Sequence, residues 1–334
     1  MNTVTAQTGK QGKYRISEPL EPDFTGVPDE VEVCRDWNEQ SRPRVSIGCI
    51  AFNQRQYIEE TLRGFFMQRT RFPFHIVCYD DCSEDGTREV LEAYHARFPN
   101  LIKLILPSEN QWSKGKKPFI DFLLPQMYGE YVVCCEADDY WTDPEKLQKQ
   151  VDFLDSNKEF VLATHDVHTI DVSGNIVSRS HLPEFYKRHF SEFELRSGWA
   201  GPVTQAVMFR NVLKEFPPEF HRAYLGDIFL WSLLGQFGAA AYIDDVKPSM
   251  YRLHSEGVFS SLSDPDKYDM QANTFFWIYK YYKRIGFRKE AVAFKMKMLE
   301  KHSRELGIRE WIGLTAVRFS GANLKSQIDR LFRR

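Results

Sequence analysis

Hydrophobic and polar positions along the first half of the chain switch repeatedly between two periods. Val45 to Ala51 (VSIGCIA) is a short apolar run rich in β-branched residues. After it Asn53 is placed to cap a helix whose Ile58, Leu62, Phe65 and Phe66 fall at i, i+4, i+7 and i+8. The pair recurs: Phe74 to Tyr79 (FHIVCY) reads as a strand, and the segment after Asp85 carries Val90, Leu91 and Tyr94 on one helical face. Leu101 to Leu106 is a third strand. A Lys-rich loop and the run Pro118 to Met127 separate it from a fourth, Tyr131 to Cys135. Thr142-Asp143-Pro144-Glu145 then opens a helix: Thr142 and Glu145 have capping-box spacing, Pro144 suits the first turn, and Leu147, Val151 and Leu154 form its buried stripe. Strands alternating with helices predict an α/β fold, a Rossmann-like, mainly parallel sheet with helices on both faces.

Beyond residue 160 the pattern loosens into short β-like runs (VLATHDVHTI, GPVTQAVMF, AAAYI) around a helix near Asp227 to Gln236. From about Asp266 helical signals dominate. Residues 1–42 mix Pro, Gly and acids without a period and read as a lead-in. This gives a lead-in at 1–42, a main domain at 43–262 and a helical C-terminal extension at 263–334.

With 334 residues, 43% hydrophobic, the chain has ample material for a large core, which excludes a small stapled scaffold. Its 44 Lys+Arg against 46 Asp+Glu leave no global field for nucleic acid. No run approaches the roughly 18 apolar residues of a membrane span, and the polar N-terminus lacks a signal peptide's apolar segment. The six cysteines have neither metal nor disulfide spacing, and several lie inside apolar runs, so a reducing cytoplasm is the expected location.

In an open parallel sheet, ligands bind beyond the carboxyl ends of the strands. Two acidic clusters fall there: Asp80-Asp81 after FHIVCY, and Glu136-Ala137-Asp138-Asp139 after YVVCC. Either alone reads equally well as turn or capping residues. Together, carboxylates converging on one crevice repel one another unless a cation is present, and hard oxygen ligands select Mg²⁺ or Mn²⁺.

The segments YDDCSEDGT, CEADDYWTDPEKLQKQVDFLD and YRLHSEGVFSS, following VSIGCIAFNQRQYIEETLRGFFMQ in that order, resemble the family 2 glycosyltransferases of GT-A fold, especially bacterial surface-polysaccharide enzymes. The resemblance covers about residues 44–262 and is closest from Val45 to Asp155. It implies that Ala51, Phe52 and Asn53 line a nucleotide-base pocket, that Asp80 or Asp81 bonds the base, and that Glu136, with Ala137 beside it, faces the ribose. Glu136 replaces the Asp usual at that position. Asp138 takes the metal-ligand position, with Asp139 next to it, and His254 completes the metal or diphosphate shell. Asp227, in LGDIFLW, matches the catalytic base, although the family commonly has Glu where this chain has Gly226; an alternative role for Asp227 is a helix N-cap. Trp199 and Gln205 are implied on the acceptor side, with Arg210-Asn211 on the strand leading there. Lys114, Lys116 and Lys117 form a basic loop that is either solvated or meets phosphate, and Trp112 and Trp141 either stack on sugar or pack.

The activity implied is metal-dependent transfer of a sugar from a nucleotide-diphosphate sugar, with UDP the commonest nucleotide, to a glycan or lipid-linked acceptor, with inversion. The competing readings are a nucleotidyltransferase, which usually opens with a Gly-rich phosphate loop that VSIGCIAFNQRQ is not, and a non-catalytic sugar-nucleotide or glycan-binding protein. Residues 280–334 carry 15 Lys+Arg and 5 Asp+Glu. Cations recurring among apolar residues there suit either a helix pair lying on an anionic membrane, at its inner face, or a packing or homodimer contact.

Overall fold

The computed structural model describes residues 22–37 and 42–305, apart from 256 and 258. Most of the lead-in and the basic stretch from 306 onward therefore lie outside the described residues. After a short helix α1 (Glu30–Val33), the first half alternates as its pattern predicts: β1 (Val45–Ala51), α2 (Ile58–Phe66), β2 (Phe74–Asp80), α3 (Thr87–Arg97), β3 (Ile102–Ile105), β4 (Tyr131–Cys134) and α4 (Lys146–Ser156). Then come β5 (Phe160–Thr164), β6 (Val167–Ile170), β7 (Ile176–Ser178), α5 (Glu192–Arg196), β8 (Met208–Arg210), α6 (Gly226–Leu234), β9 (Ala239–Tyr242), β10 (Ser249–Arg252) and the long helices α7 (Asp264–Ile285) and α8 (Arg288–Glu305).

Seven strands form one sheet in the order β3-β2-β1-β4-β8-β5-β9, and β10-β6-β7 form a small second sheet. Among the described strands of the large sheet, only β8 runs against its neighbours. Side chains alternate by twos, so each strand feeds both faces. Phe74, Ile76 and Cys78 of β2 and Tyr131 and Val133 of β4 join one core with α2, α3 and α4. Val77, Tyr79 and Val132 enter a second core with α6, α7 and α8. Gly48 on β1 is a close-approach position: a Cβ there would stand 2.7 Å from Leu123 Cδ2.

Two predicted caps do not form, because long-range partners outcompete local ones. Asn53 stands at φ 54°, five residues ahead of the first residue of α2, which has Tyr57 at its N-cap. Thr142 donates instead to Pro248 O at 2.7 Å, and α4 starts at Lys146 with no side-chain cap. The helices α7 and α8 turn about Gly286 (φ 85°), and they place Phe275, Ile278, Tyr282 and Phe294 in the second core. Tyr282 Oη donates to the Ser232 carbonyl, and Arg196 pairs with Glu290 at 2.9 Å.

Helix α4 also buries what its apolar stripe does not include. Lys146 is fully buried, 2.7 Å from Gln150 Oε1 and 4.5 Å over the Trp141 ring. Gln150 in turn donates to Ala163 O and Ala206 O, tying α4 to the sheet and to the segment holding Gln205. Burial pushes the Lys146 ammonium down to about 7. Above that pH, up to the ordinary lysine range, the unfolded chain holds a proton that the folded chain has released, so stability rises with pH in this window. Chemical denaturation from pH 7 upward should give a slope approaching about 1.4 kcal/mol per pH unit from this group. The slope should vanish in Lys146→Met; an identical pH profile in that variant would refute the assignment.

Candidate active site

At the carboxyl edge, the loop after β1 is stitched to the loop after β2. Asn53 N donates to Ser83 Oγ, Gln54 N to Thr87 Oγ1 and Arg55 N to Asp85 Oδ2, while Asn53 Oδ1 accepts from Glu84 N. The polar residues of CSEDGT thus hold the neighbouring backbone. Ala51 is buried and the Phe52 ring is exposed at the edge of this double loop. The paired aspartates differ in kind. Both oxygens of Asp81 are engaged, Oδ1 by Tyr79 Oη (2.8 Å) and Gln111 N (2.7 Å), Oδ2 by Trp112 N (3.0 Å). Asp80 Oδ2 accepts from Ser83 N and Arg88 Nε, but its buried Oδ1 has no partner. An orphan buried acceptor is costly unless a ligand donor meets it.

One strand over, Ala137 N bonds Ile50 O and sets the acidic turn beside β1. Glu136, Asp138 and Asp139 each offer an oxygen within 4.8 Å of the others. His254 Nε2 lies 2.8 Å from Asp138 Oδ2, with its ring against Tyr57 and its buried Nδ1 unpartnered. Asp139 spends one oxygen on the Arg252 backbone N–H at 2.9 Å. Glu136 is exposed to water at the mouth of this turn, with protein packed closely on its inner side. This packing, the Asp138 charge and then the Asp227 charge raise its carboxyl above the usual range. Asp139 is raised likewise by burial, Asp138 and Glu136. Crowded oxygen donors with unrelieved mutual repulsion fit a hard divalent cation.

Asp227 sits in the first turn of α6, where Leu225 holds the N-cap position, so capping does not explain the acid. The side chain reaches solvent, and partial desolvation by the surrounding protein raises its carboxyl against the lowering effect of backbone N–H groups. Gly226 is not sterically required: a Cβ there would make only ordinary contact with Phe220 at 3.6 Å.

The sequence reading overlooked Arg252. Its buried guanidinium donates to Asp138 O (3.1 Å), Asp171 O and Val172 O, pairs with Glu60 of α2 and lies 4.4 Å over the Tyr57 ring. Thr61 of α2 adds a bond to Asp139 O at 2.6 Å. The acidic turn is therefore clamped between α2 and β10. The available signal was a cation inside the strand-like run SMYR, two residues before His254.

Gln205 and Arg210-Asn211 separate, because β8 runs antiparallel. Gln205, ahead of β8, lies toward the carboxyl edge, buried, with its carbonyl on Trp141 Nε1 and its own Nε2 unpartnered. Arg210 and Asn211, at the end of β8, pin the opposite edge through Phe160 O, Leu154 O, Met127 O and Gly129 O. They lie on the expected strand, at its end away from Gln205. Trp199 is half exposed on the turn after α5, under Lys297 of α8. Trp141 packs in the core. Lys114 pairs with Glu109, and Lys117 Nζ donates to Ala223 O at 2.6 Å, bracing the segment before Asp227.

A family model described as glycosyl transferase family 2 matches residues 46–216. An uncharacterised protein of Mycobacterium tuberculosis is 42% identical over 130 residues, 39% of this chain and 37% of that protein. A putative teichuronic acid biosynthesis glycosyltransferase of Bacillus subtilis is 31% identical over 113 residues, 34% of this chain and 42% of the relative. These matches thus span well under half the length of either relative. Among solved structures, a mannosyltransferase of Pyrobaculum calidifontis in complex with GDP-Man and Mn²⁺ shares the fold, with a TM-score of 0.54 at 19% identity over 87% of this chain and 79% of that one. The family match covers about half of the chain and takes in the stitched loops and the acidic turn, so this protein belongs to glycosyl transferase family 2.

Proposed function

We propose that this protein transfers a sugar from a nucleotide-diphosphate sugar, with UDP the first nucleotide to test, to a hydroxyl of a glycan or lipid-linked acceptor in surface-polysaccharide synthesis, with inversion at the anomeric carbon. The observation that carries this is the meeting of Glu136, Asp138, Asp139 and His254, within electrostatic reach of Asp227, beside a stitched loop pair that leaves Asp80 Oδ1 without a partner. Phe52 and Asn53 border the base, and Asp80 is preferred over Asp81 as its acceptor because the oxygens of Asp81 are already taken. Glu136 faces the ribose. Asp138 and His254 would hold Mn²⁺ or Mg²⁺, with the free oxygen of Asp139 behind them. Bound there, the cation would act as Lewis acid toward the departing diphosphate. Asp227 takes the proton of the acceptor hydroxyl as that oxygen attacks the anomeric carbon. Gln205, with an unpartnered buried donor, is a better acceptor contact than Trp199, whose ring carries Lys297. An acceptor carried on a lipid requires the enzyme to work at a bilayer surface.

A thermal-shift screen of UDP-, GDP- and dTDP-sugars with and without Mn²⁺ tests the reading, since a ligand that binds only the folded state raises its melting temperature by mass action. One nucleotide class should stabilise, and more so with Mn²⁺. No shift with any nucleotide sugar would sink the proposal. A shift with no transfer or hydrolysis would favour a binding protein.

A further inference from the structure

A helix on a protein surface normally has one apolar stripe, turned inward. Helix α8 has two. Ala291, Phe294 and Met298 face the second core. Val292, Met296 and Leu299, at i, i+4 and i+7, face solvent at 61%, 52% and 39% exposure. The outer stripe is flanked by exposed cations one helical turn away, Arg288 and Lys289 beside Val292, and Lys295 beside Leu299. Between residues 276 and 300 six cations are exposed, Lys280, Lys283 and Arg284 being the others, with Arg284 paired to Glu219, against two acids: Glu290, buried against Arg196, and Glu300, exposed one turn beyond Met296.

We infer that this outer face of the α7–α8 hairpin docks the protein on an anionic lipid bilayer, with Val292, Met296 and Leu299 entering the acyl boundary and Arg288, Lys289 and Lys295 meeting headgroup phosphates. Charge complementarity selects this occupant. The rest of the chain, residues 306–334, is itself basic, with six Lys or Arg against Glu310 and Asp329, and would lay cations on cations. A second copy meeting the same patch about a two-fold axis does the same. A polyanion without apolar depth, such as nucleic acid, leaves the stripe uncovered. Only an anionic bilayer answers both the stripe and the charges. No described helix is long and apolar enough to cross a membrane, which matches a face that lies on the surface.

The inference goes beyond sugar transfer and is read without turnover, so its failure leaves the proposed reaction standing. The full-length protein is sedimented with vesicles of phosphatidylcholine alone or mixed with phosphatidylglycerol, at low and high salt. Binding is expected only with phosphatidylglycerol and only at low salt. A neutralised variant, Arg288→Gln with Lys289→Gln and Lys295→Gln, should lose at least tenfold in partitioning, since each cation near an anionic surface contributes roughly fivefold. Val292→Ser with Met296→Ser and Leu299→Ser should also release the protein, at unchanged melting temperature. If the serine variant melts lower, the glutamine variant alone decides, because its side chains already project into water. Wild-type binding by both variants, no binding by the native protein, or a native dimer that the serine variant converts to monomer would each overturn the proposal. So would equal capture on a soluble polyanion that persists in the serine variant.

Discussion

Replacing Asp227 with Asn is expected to lower turnover by roughly 10²–10⁴-fold, the usual contribution of a general base, while nucleotide-sugar binding stays near the native level. The amide keeps the size and the hydrogen-bond shape of the carboxylate but cannot take a proton. Asp227 is suited to proton transfer by its surroundings: its side chain reaches water, the protein packed beside it raises its carboxyl, and backbone N–H groups at the start of α6 favour the anion. It stands on α6, away from the loops after β1 and β2 that the proposed function gives to the nucleotide, and for that reason binding and turnover should separate. Initial-rate kinetics beside a donor-binding isotherm provide the check. Near-native turnover in Asp227→Asn would place the base elsewhere, and joint loss of binding and turnover would make the residue structural.

Replacing Asp138 with Asn should have the opposite profile, removing metal-dependent donor binding itself. Loss of partners behind metal ligands typically costs 10–100-fold in metal affinity, so loss of a ligand should exceed about 100-fold. Mn²⁺ titration followed by electron paramagnetic resonance reads this without any turnover. A second consequence follows from the crowding of Glu136 and Asp139, both raised partly by the Asp138 charge. Without cation, Asp138→Asn removes a like charge and should melt above the native protein; with Mn²⁺ the order should reverse. An unchanged order in the two conditions would mean that these carboxylates do not share an ion.

Period alone made the first half of the fold readable. Apolar runs at β1, β2 and β4 alternate with helical stripes at α2, α3 and α4, and an acid cluster directly after an apolar strand falls at the carboxyl edge whatever the rest of the chain does. Strand alternation and strand-end position are local properties, determined by covalent geometry and side-chain periodicity. The sequence by itself therefore determined the α/β class, the apolar stripes of α2, α3 and α4 and the grouping of Asp80, Asp81, Glu136, Asp138 and Asp139 at one edge.

What it could not determine were outcomes of competition between partners distant in the chain. Asn53 and Thr142 have capping chemistry, but Glu84 and Pro248 offered bonds that only the folded arrangement brings within reach. Asp80 and Asp81 are adjacent and chemically identical; the loop at Gln111 and Trp112 saturates one and leaves the other with a free oxygen. Gln205 and Arg210 lie five residues apart yet reach opposite edges of the sheet, because strand direction is set by β4 and β5. Lys146 and Arg252 carry full charges in water, and the tertiary structure buries both. A charge leaves water only where enough fixed dipoles and ring faces converge to replace its hydration, and the residues supplying them at Arg252 run from Tyr57 to Val172.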